Sequence, residues 1–513
     1  MKLKKTSSSA LALVTVITLQ QSHAGTTWDG GGGANSNIDF ADNWDGTSPG
    51  VVNALNGTTA ATFGTGGSVA TMNVDGYFTT LTFNRDNASG FTVNGPSTLS
   101  VLASTGGATA NFSVSDTASN GVTTINAPFK VNTDAGGTRL LTIDNREAGT
   151  TGASLVFTGA IGATATANAY GMRFGSSGIT LISGAISNVS SIQQASIGSQ
   201  NMSGSVTISG AQSLGTATVN IAGTGSGTVA STAKFVMGSS TSDVQSWAST
   251  TINQAGMIEV KSTATLSGGV GLSSATTGGA SGGTLDVSGN LNATTLAIGS
   301  IAYTGILRVS GNATFSGKVE SGTTAGSKIV GGGVSAGTLT LASGIVGSGV
   351  VLGGAGTNEN NFNIVKTDSS GTLTLSGANT FSGTTTATLG ILLLSHQQAI
   401  QNSTLVMNAG TVQFASTVSP KSFTIGGLSG TTALALQDNA ASPAVIALTV
   451  GGNNADTSYS GVLSGSGSLI KNGSGTLTFN GASPNTFSGG LTINSGKLVA
   501  GTGQLGALAA CRT

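Results

Sequence analysis

Near its end this chain writes one sentence twice. Residues 366–394 read KTDSSGTLTLSGANTFSGTTTATLGILLL and residues 471–499 read KNGSGTLTFNGASPNTFSGGLTINSGKLV. Each copy opens on a lysine, Lys366 or Lys471, enters a Gly-Thr-Leu-Thr strand, turns through Asn-Thr-Phe-Ser-Gly, and resumes as two strands split by Gly390 or Gly496. A unit this short cannot bury its own apolar face, so repetition predicts stacking of one copy's rung on the next. The second copy carries two extra residues, Ser483 and Pro484, inside the turn, where a stacked array tolerates insertion because the flanking rungs are unchanged.

Alternation predicts which way the side chains face. Leu373 and Leu375 oppose Thr372 and Thr374, and Leu477 and Phe479 oppose Thr476 and Thr478, so one side of each strand is apolar. Phe381 aligns with Phe487, Asn379 with Asn485, and Leu392 and Leu393 with Leu498 and Val499. Aligned apolar residues are expected to form columns inside a coil of parallel strands. The aligned asparagines admit two roles: a ladder of side-chain amides running from rung to rung, or, more often for Asn in a turn, a bond to the residue's own backbone.

Composition supports the same class independently. Gly is 82 of 513 residues, Pro only 6, charged residues 7% and aromatics 5%, yet the mean hydropathy is +0.23. Disordered chains pair low hydrophobicity with high net charge, and compact enzymes are about one-quarter charged. Neither describes this chain. Short runs of Val, Ile, Thr and Leu are separated by Gly, Ser and Asn turns, with Asn-Gly pairs at 56, 94, 120, 472 and 480. Past the first residues, Gly or a β-branched residue interrupts nearly every helical window. The predicted fold is all-β: an elongated parallel β-solenoid (β-helix) of stacked Gly-, Thr- and Asn-rich rungs. At roughly 20–25 residues a rung and about 4.8 Å between rungs it is a rod on the order of 90–110 Å long.

The repeated segments resemble the autotransporter-associated β-strand repeat, also called the passenger-associated transport repeat, of large secreted or outer-membrane proteins of Gram-negative bacteria. The likeness is close over 459–501 and looser over 366–394, where Gly383-Thr384-Thr385-Thr386 stands for the family's Gly-Gly-Thr-Thr and Ala387 fills an apolar position. The segment TTWDGGGGANSNIDFADNWDG, with ATFGTGG and LTFN after it, is similar to the start of such proteins. The middle, about 100–340, shares composition and strand rhythm only. The resemblance implies an exported passenger, a translocation barrel in the outer membrane as partner, and a role for the repeat in passage across that membrane.

Lys2, Lys4 and Lys5, the apolar run from Ala10 to Leu19 and the small residues of Ser22-His23-Ala24 make residues 1–24 a signal peptide. Removing them takes three lysines, leaving 15 basic against 18 acidic residues, with no field to steer the chain to nucleic acid. The remainder divides into an N-terminal strand-rich capping region at 25–100, a divergent solenoid at 101–340, the repeat-bearing solenoid at 341–501 and an irregular tail at 502–513. The expected location is past the inner membrane, extracellular or on the outer-membrane surface. A sequence stopping at Arg512-Thr513, without a closing barrel or sorting segment, reads as a fragment or a released chain.

Residues that could carry chemistry are few. His396 is the one imidazole left after the signal, and Cys511 the one thiol, so a catalytic triad or a zinc site is hard to assemble. Carboxylate chemistry is the chemistry that the remaining residues could carry. Asp144 and Glu147, beside Arg139 and Arg146, form the densest charged island of the middle, a pattern able to serve as acid and base or to hold a cation, against the plainer role of a solvated corner. Asp39, Asp42 and Asp45 are spaced by three in an oxygen-rich stretch but lack a recognised calcium loop. GGAGTNEN at 353–360 echoes a calcium nonapeptide once, and GNATFSGK at 311–318 misses the phosphate-loop spacing. No catalytic, cofactor or metal residue is assigned and no cofactor is expected. The chain is expected to be a non-catalytic scaffold. The alternatives are an adhesin binding a surface or matrix polysaccharide, and a polysaccharide lyase or hydrolase built on a β-helix. An open terminal rung is further expected to pair end to end with another copy through 471–500.

Overall fold

The computed structural model describes Thr26–Trp28, most of residues 60–371 apart from connections between strands, all of 372–505, and Cys511–Arg512. The signal segment, Asp39, Asp42, Asp45 and Glu147 lie outside the described residues.

Every described residue in regular structure is in a strand, and every pairing between strands is parallel; one isolated bridge, Gln437 to Val445, is antiparallel. The chain coils as a parallel β-solenoid. Strands that follow one another in sequence lie on different faces, and each hydrogen-bonds to its counterpart one coil later. The first face stacks 13 strands, from Thr26–Trp28 to Ile345–Val346, and the second stacks 12, from Val69–Thr71 to Val350–Leu352. A third sheet, of 17 strands, runs from Gln212–Ser213 and forks at Ser422–Gly430, which pairs with both Ala447–Val450 and Thr457–Tyr459, so that from there two stacks continue, one to Cys511–Arg512 and one to Lys497–Ala500. Near residue 350 the first two sheets end; the strands Thr372–Leu375, Ile391–Leu394 and Thr411–Phe414 then form a sheet of their own beside the third.

Alternation places the core. Strands such as Thr284–Val287, Ile306–Val309 and Thr476–Phe479 bury every second residue, and the buried ones line up by register: Leu285 on Leu307 on Ile329, and Leu477 on Leu498. One apolar cluster fills the coil. In the N-terminal rungs it is aromatic: Phe112 contacts Phe83, Phe129 and Phe157 with ring centroids 5.3–5.6 Å apart. Aromatic pairs at this separation add about 0.5–1.5 kcal/mol beyond the area they bury.

Rung length is not uniform. Thr82 and its neighbour on the next rung, Ser113, are 31 residues apart, while Asn290 and Asn312 are 22 apart and Asn360 and Thr380 are 20 apart. The expected 20–25 residues hold for most coils of the C-terminal half; in the N-terminal coils the strands of the first face are longer, six to eight residues in Thr80–Arg85, Thr109–Asp116, Arg139–Asn145 and Tyr170–Gly175 against three in Val270–Leu272 and Leu296–Ile298. The tail also departs from expectation. Cys511–Arg512 forms a parallel pair with Leu491 and Thr492, continuing the third sheet.

Candidate functional site

The two repeats are separate devices for closing one rung onto the next, the strands that carry their lysines lying five steps apart in the third sheet. In both, the opening lysine occupies an inward strand position and is 1% exposed. Lys471 sits between Val450 below and Ile493 above. Its ammonium donates to the carbonyls of Asn472 (2.6 Å), Gly473 (3.0 Å) and Ser495 (3.5 Å). Loss of hydration lowers its pKa and the Asp456 charge partly opposes that shift. Three carbonyls of two adjacent turns are thus gathered on one cation. Gly390 and Gly496, the aligned strand breaks, have φ of 70° and 73°, the left-handed turn that glycine adopts without strain. At Gly496 a Cβ would stand 2.2 Å from the Gly473 carbonyl oxygen, so the close approach of two rungs also requires glycine there.

The aligned asparagines do neither of the things the sequence suggested. Asn379, 2% exposed, accepts the Leu352 N–H from one rung (3.0 Å) and donates to the Ala399 carbonyl of the next (2.8 Å). Asn485 accepts the Leu463 N–H (2.7 Å) and donates to the Gln504 carbonyl (3.0 Å). Each amide is a buried clamp joining three rungs through backbone groups that the corner leaves unpaired. Gln212 makes a two-rung version earlier, accepting from the Ile186 N–H (3.0 Å) and donating to the Gly184 carbonyl (3.1 Å), both on the preceding rung, and to the Ser209 carbonyl of its own (3.1 Å). Side-chain ladders do exist on the outside, as in Asn494 to Asn472 (2.8 Å) and Asn126 to Asn94 (2.7 Å). The inserted Ser483 and Pro484 are exposed and leave Asn485 and Phe487 in the buried positions of Asn379 and Phe381. The weaker copy keeps its packing by a local exchange: Thr385, facing inward, bonds the Ser403 hydroxyl at 2.8 Å.

The charged island of the middle gives no converging acids among the described residues. Asp144 is buried and paired to Arg146 (2.7 Å), and Arg139 begins the same strand, Arg139–Asn145. His396 is a turn residue whose Nδ1 accepts the Gln398 N–H (3.0 Å). The segment 311–318 includes the strand Asn312–Phe315 rather than a phosphate loop. Among the described residues no group of three metal-ligating side chains occurs.

The fold also assembles a second charged cluster. On the second face Val236, Glu259, Asp286 and Arg308 occupy equivalent outward positions of four successive rungs. Glu259 is held by Lys234 (2.5 Å) and Lys261 (3.5 Å), and Asp286 by Arg308 (3.5 Å). Burial raises the Asp286 pKa; Arg308 opposes the shift and the Glu259 charge adds to it. The signal was present as Ile-Glu-Val, Leu-Asp-Val and Leu-Arg-Val, one charge between two apolar residues, at 258–260, 285–287 and 307–309. Each acid has its own cation, which is the chemistry of an ion-pair ladder tying rungs together.

Two segments, residues 364–394 and 469–500, match the passenger-associated-transport-repeat family. No curated protein and no solved structure matches the chain. The matched segments begin at the strands that carry the buried lysines and contain both asparagine clamps, so this β-solenoid carries two passenger-associated transport repeats, each built into the stack as a rung-closing unit.

Proposed function

We propose that the chain is a non-catalytic, exported β-solenoid scaffold of the autotransporter-passenger type, whose repeats aid passage across the outer membrane by adding rungs on the far side. The observation that supports this reading is the clamp geometry. Asn379 and Asn485 satisfy backbone groups of the rungs before and after them, so each rung is completed only when the next arrives. A chain that emerges end first and gains hydrogen bonds with each added rung is biased against sliding back. Partners on this reading are an outer-membrane translocation barrel during export and another copy afterwards. Of the expected edge, 471–500, Thr476–Phe479 is covered by Lys497–Ala500 and Leu491–Ile493 by Cys511–Arg512, so the outermost described strands are Lys497–Ala500, inside that range, and Cys511–Arg512, beyond it.

The test is surface arrival in a Gram-negative host carrying the chain fused to a translocation barrel, followed by protease accessibility. Asn379→Leu and Asn485→Leu should slow arrival, while Thr380→Ala should not. Unchanged arrival of clamp variants that are measurably less stable would sink the role in passage. Turnover of a polysaccharide by the parent, abolished by Glu259→Gln, Asp286→Asn or Asp144→Asn, would overturn the non-catalytic reading.

A further inference from the structure

The third face carries a feature that neither export nor rung closure uses. Its strands from Thr263–Leu266 to Thr384–Ala387 are stacked in register, six rungs in succession. Their two outward positions read Thr-x-Thr, Asn-x-Asn, Asn-x-Thr, Thr-x-Thr, Asn-x-Val and Thr-x-Thr, from Thr263 to Thr386. The residues between and after them, such as Ala264, Leu291, Ala313 and Leu339, face the core. None of the outward residues is charged or aromatic, whereas the second face at the same level carries Glu259, Asp286 and Arg308.

The result is a two-column grid. Neighbours within a strand are about 6.6–6.8 Å apart, neighbours on adjacent rungs about 4.8 Å, and the grid is about 24 Å long. The first column is pinned: the Asn290 amide donates to the Thr263 hydroxyl (3.2 Å), the Asn312 amide to the Asn290 side-chain carbonyl (2.8 Å), and the Thr384 hydroxyl to the Asn363 side-chain carbonyl (3.1 Å). Side chains locked in this way lose little further freedom on binding. At the next rung Thr404 is occupied by the Asn453 amide (2.7 Å), which closes the grid.

We propose that this face binds an ordered water lattice, the surface of ice. A threonine offers a hydroxyl that anchors one water and a methyl that makes its neighbours order around it; seven of the grid's twelve positions are threonine and four are asparagine, whose amide also anchors water. A ligand whose polar groups repeat in two dimensions engages both columns over all six rungs at once, and the water lattice of ice is such a ligand. Crystalline glycans are the other ligand of that kind. They are bound chiefly by stacking on aromatic side chains, which this face does not present. A charged ligand would meet no counter-charge here.

The purified full chain is assayed for thermal hysteresis, for inhibition of ice recrystallisation and for partition into a slowly grown ice hemisphere. The parent should enter the ice and suppress recrystallisation. Thr314→Lys with Thr340→Lys, and separately the neutral but bulkier Thr314→Gln with Thr340→Gln, should abolish both effects. Thr251→Lys, an outward position of the first face, should leave them intact. Circular dichroism and size-exclusion profiles establish that the variants are folded, and the parent's own behaviour decides the matter if a variant is not. A parent excluded from ice and without effect on recrystallisation overturns the proposal, as does retention of activity by both double variants. Retention on microcrystalline cellulose or chitin without any ice activity overturns it in favour of a glycan ligand.

Discussion

Replacing Asn379 by leucine isolates the clamp from the packing around it. The side chains are similar in volume and the site is fully buried, so the substitution leaves no large cavity. It removes two hydrogen bonds and orphans the Leu352 N–H on one rung and the Ala399 carbonyl on another. An unsatisfied buried polar group costs about 1–3 kcal/mol, so the expected loss is about 2–6 kcal/mol, less what the added apolar surface returns. Thr380→Ala, one residue away, removes only the exposed bond to Asn360 (2.7 Å) and should stay within about 0.5 kcal/mol of the parent. Because a solenoid unfolds by segments, global denaturation understates a local loss. Hydrogen exchange followed by peptide mass spectrometry is therefore the assay. Peptides covering 350–352, 378–381 and 399–401 should exchange faster in Asn379→Leu, by on the order of 10²–10⁴-fold. Those covering 284–309 should not change. If protection around Leu352 is the same in parent and variant, or if Thr380→Ala matches Asn379→Leu, the asparagine does not hold the rungs together and the physical basis for the transport role falls with it.

Leu477→Asp should destabilise the terminal rungs by several kcal/mol, since Leu477 is buried on Leu498, whereas outward Thr478→Asp should change little; equal chemical-denaturation midpoints would contradict the facing. Thr476 is the poorer control, because its N–H already bonds the Asp456 carboxylate (2.7 Å) and a second acid there adds repulsion. Asp286, whose pKa is raised by burial, favours its protonated form in the fold, so its penalty is present at neutral pH and is relieved as pH falls through the raised pKa towards 3.8. Asp286→Asn should remove that part of the pH dependence, and identical stability profiles of parent and variant between pH 7 and 4 would refute it. Small-angle scattering should give a rod with a maximum dimension of about 90–100 Å, and a compact globule's radius would exclude the solenoid. Lysines at Val499 and Thr502 on the outermost strand and its turn should weaken end-to-end association at micromolar concentration; sedimentation unchanged from the parent would mean that the edge is not used.

Much of the fold was legible because a solenoid writes its geometry periodically. The alternation of Leu373 and Leu375 with Thr372 and Thr374 fixes facing, and the duplicated Asn-Thr-Phe-Ser-Gly turn, with its tolerated Ser483-Pro484 insert, fixes the class of architecture. Gly390 and Gly496 were readable as breaks because a left-handed turn demands a residue without a Cβ. These are local properties, set by one strand or one turn. What the residues do across rungs was not legible, because it depends on which segments become neighbours. Lys471 lies in an alternating strand where its charge argues for solvent, yet it is buried because Asn472, Gly473 and Ser495 aim three carbonyls at it. Asn379 and Asn485 looked like turn residues bonding themselves or each other. Their partners, Leu352 and Ala399, Leu463 and Gln504, lie 19–27 residues away in sequence and become reachable only in the coil. Glu259 and Asp286 fell in strands that read as ordinary, and only the register between rungs sets one acid above the other and brings Lys234 and Arg308 to them. Sequence determined the strand, the turn and the facing because those follow from backbone sterics and the separation of apolar from polar side chains. Tertiary structure decided the clamps, the ladder and the grid, because hydrogen bonds and ion pairs depend on distances that the chain sets only when one rung lies on another.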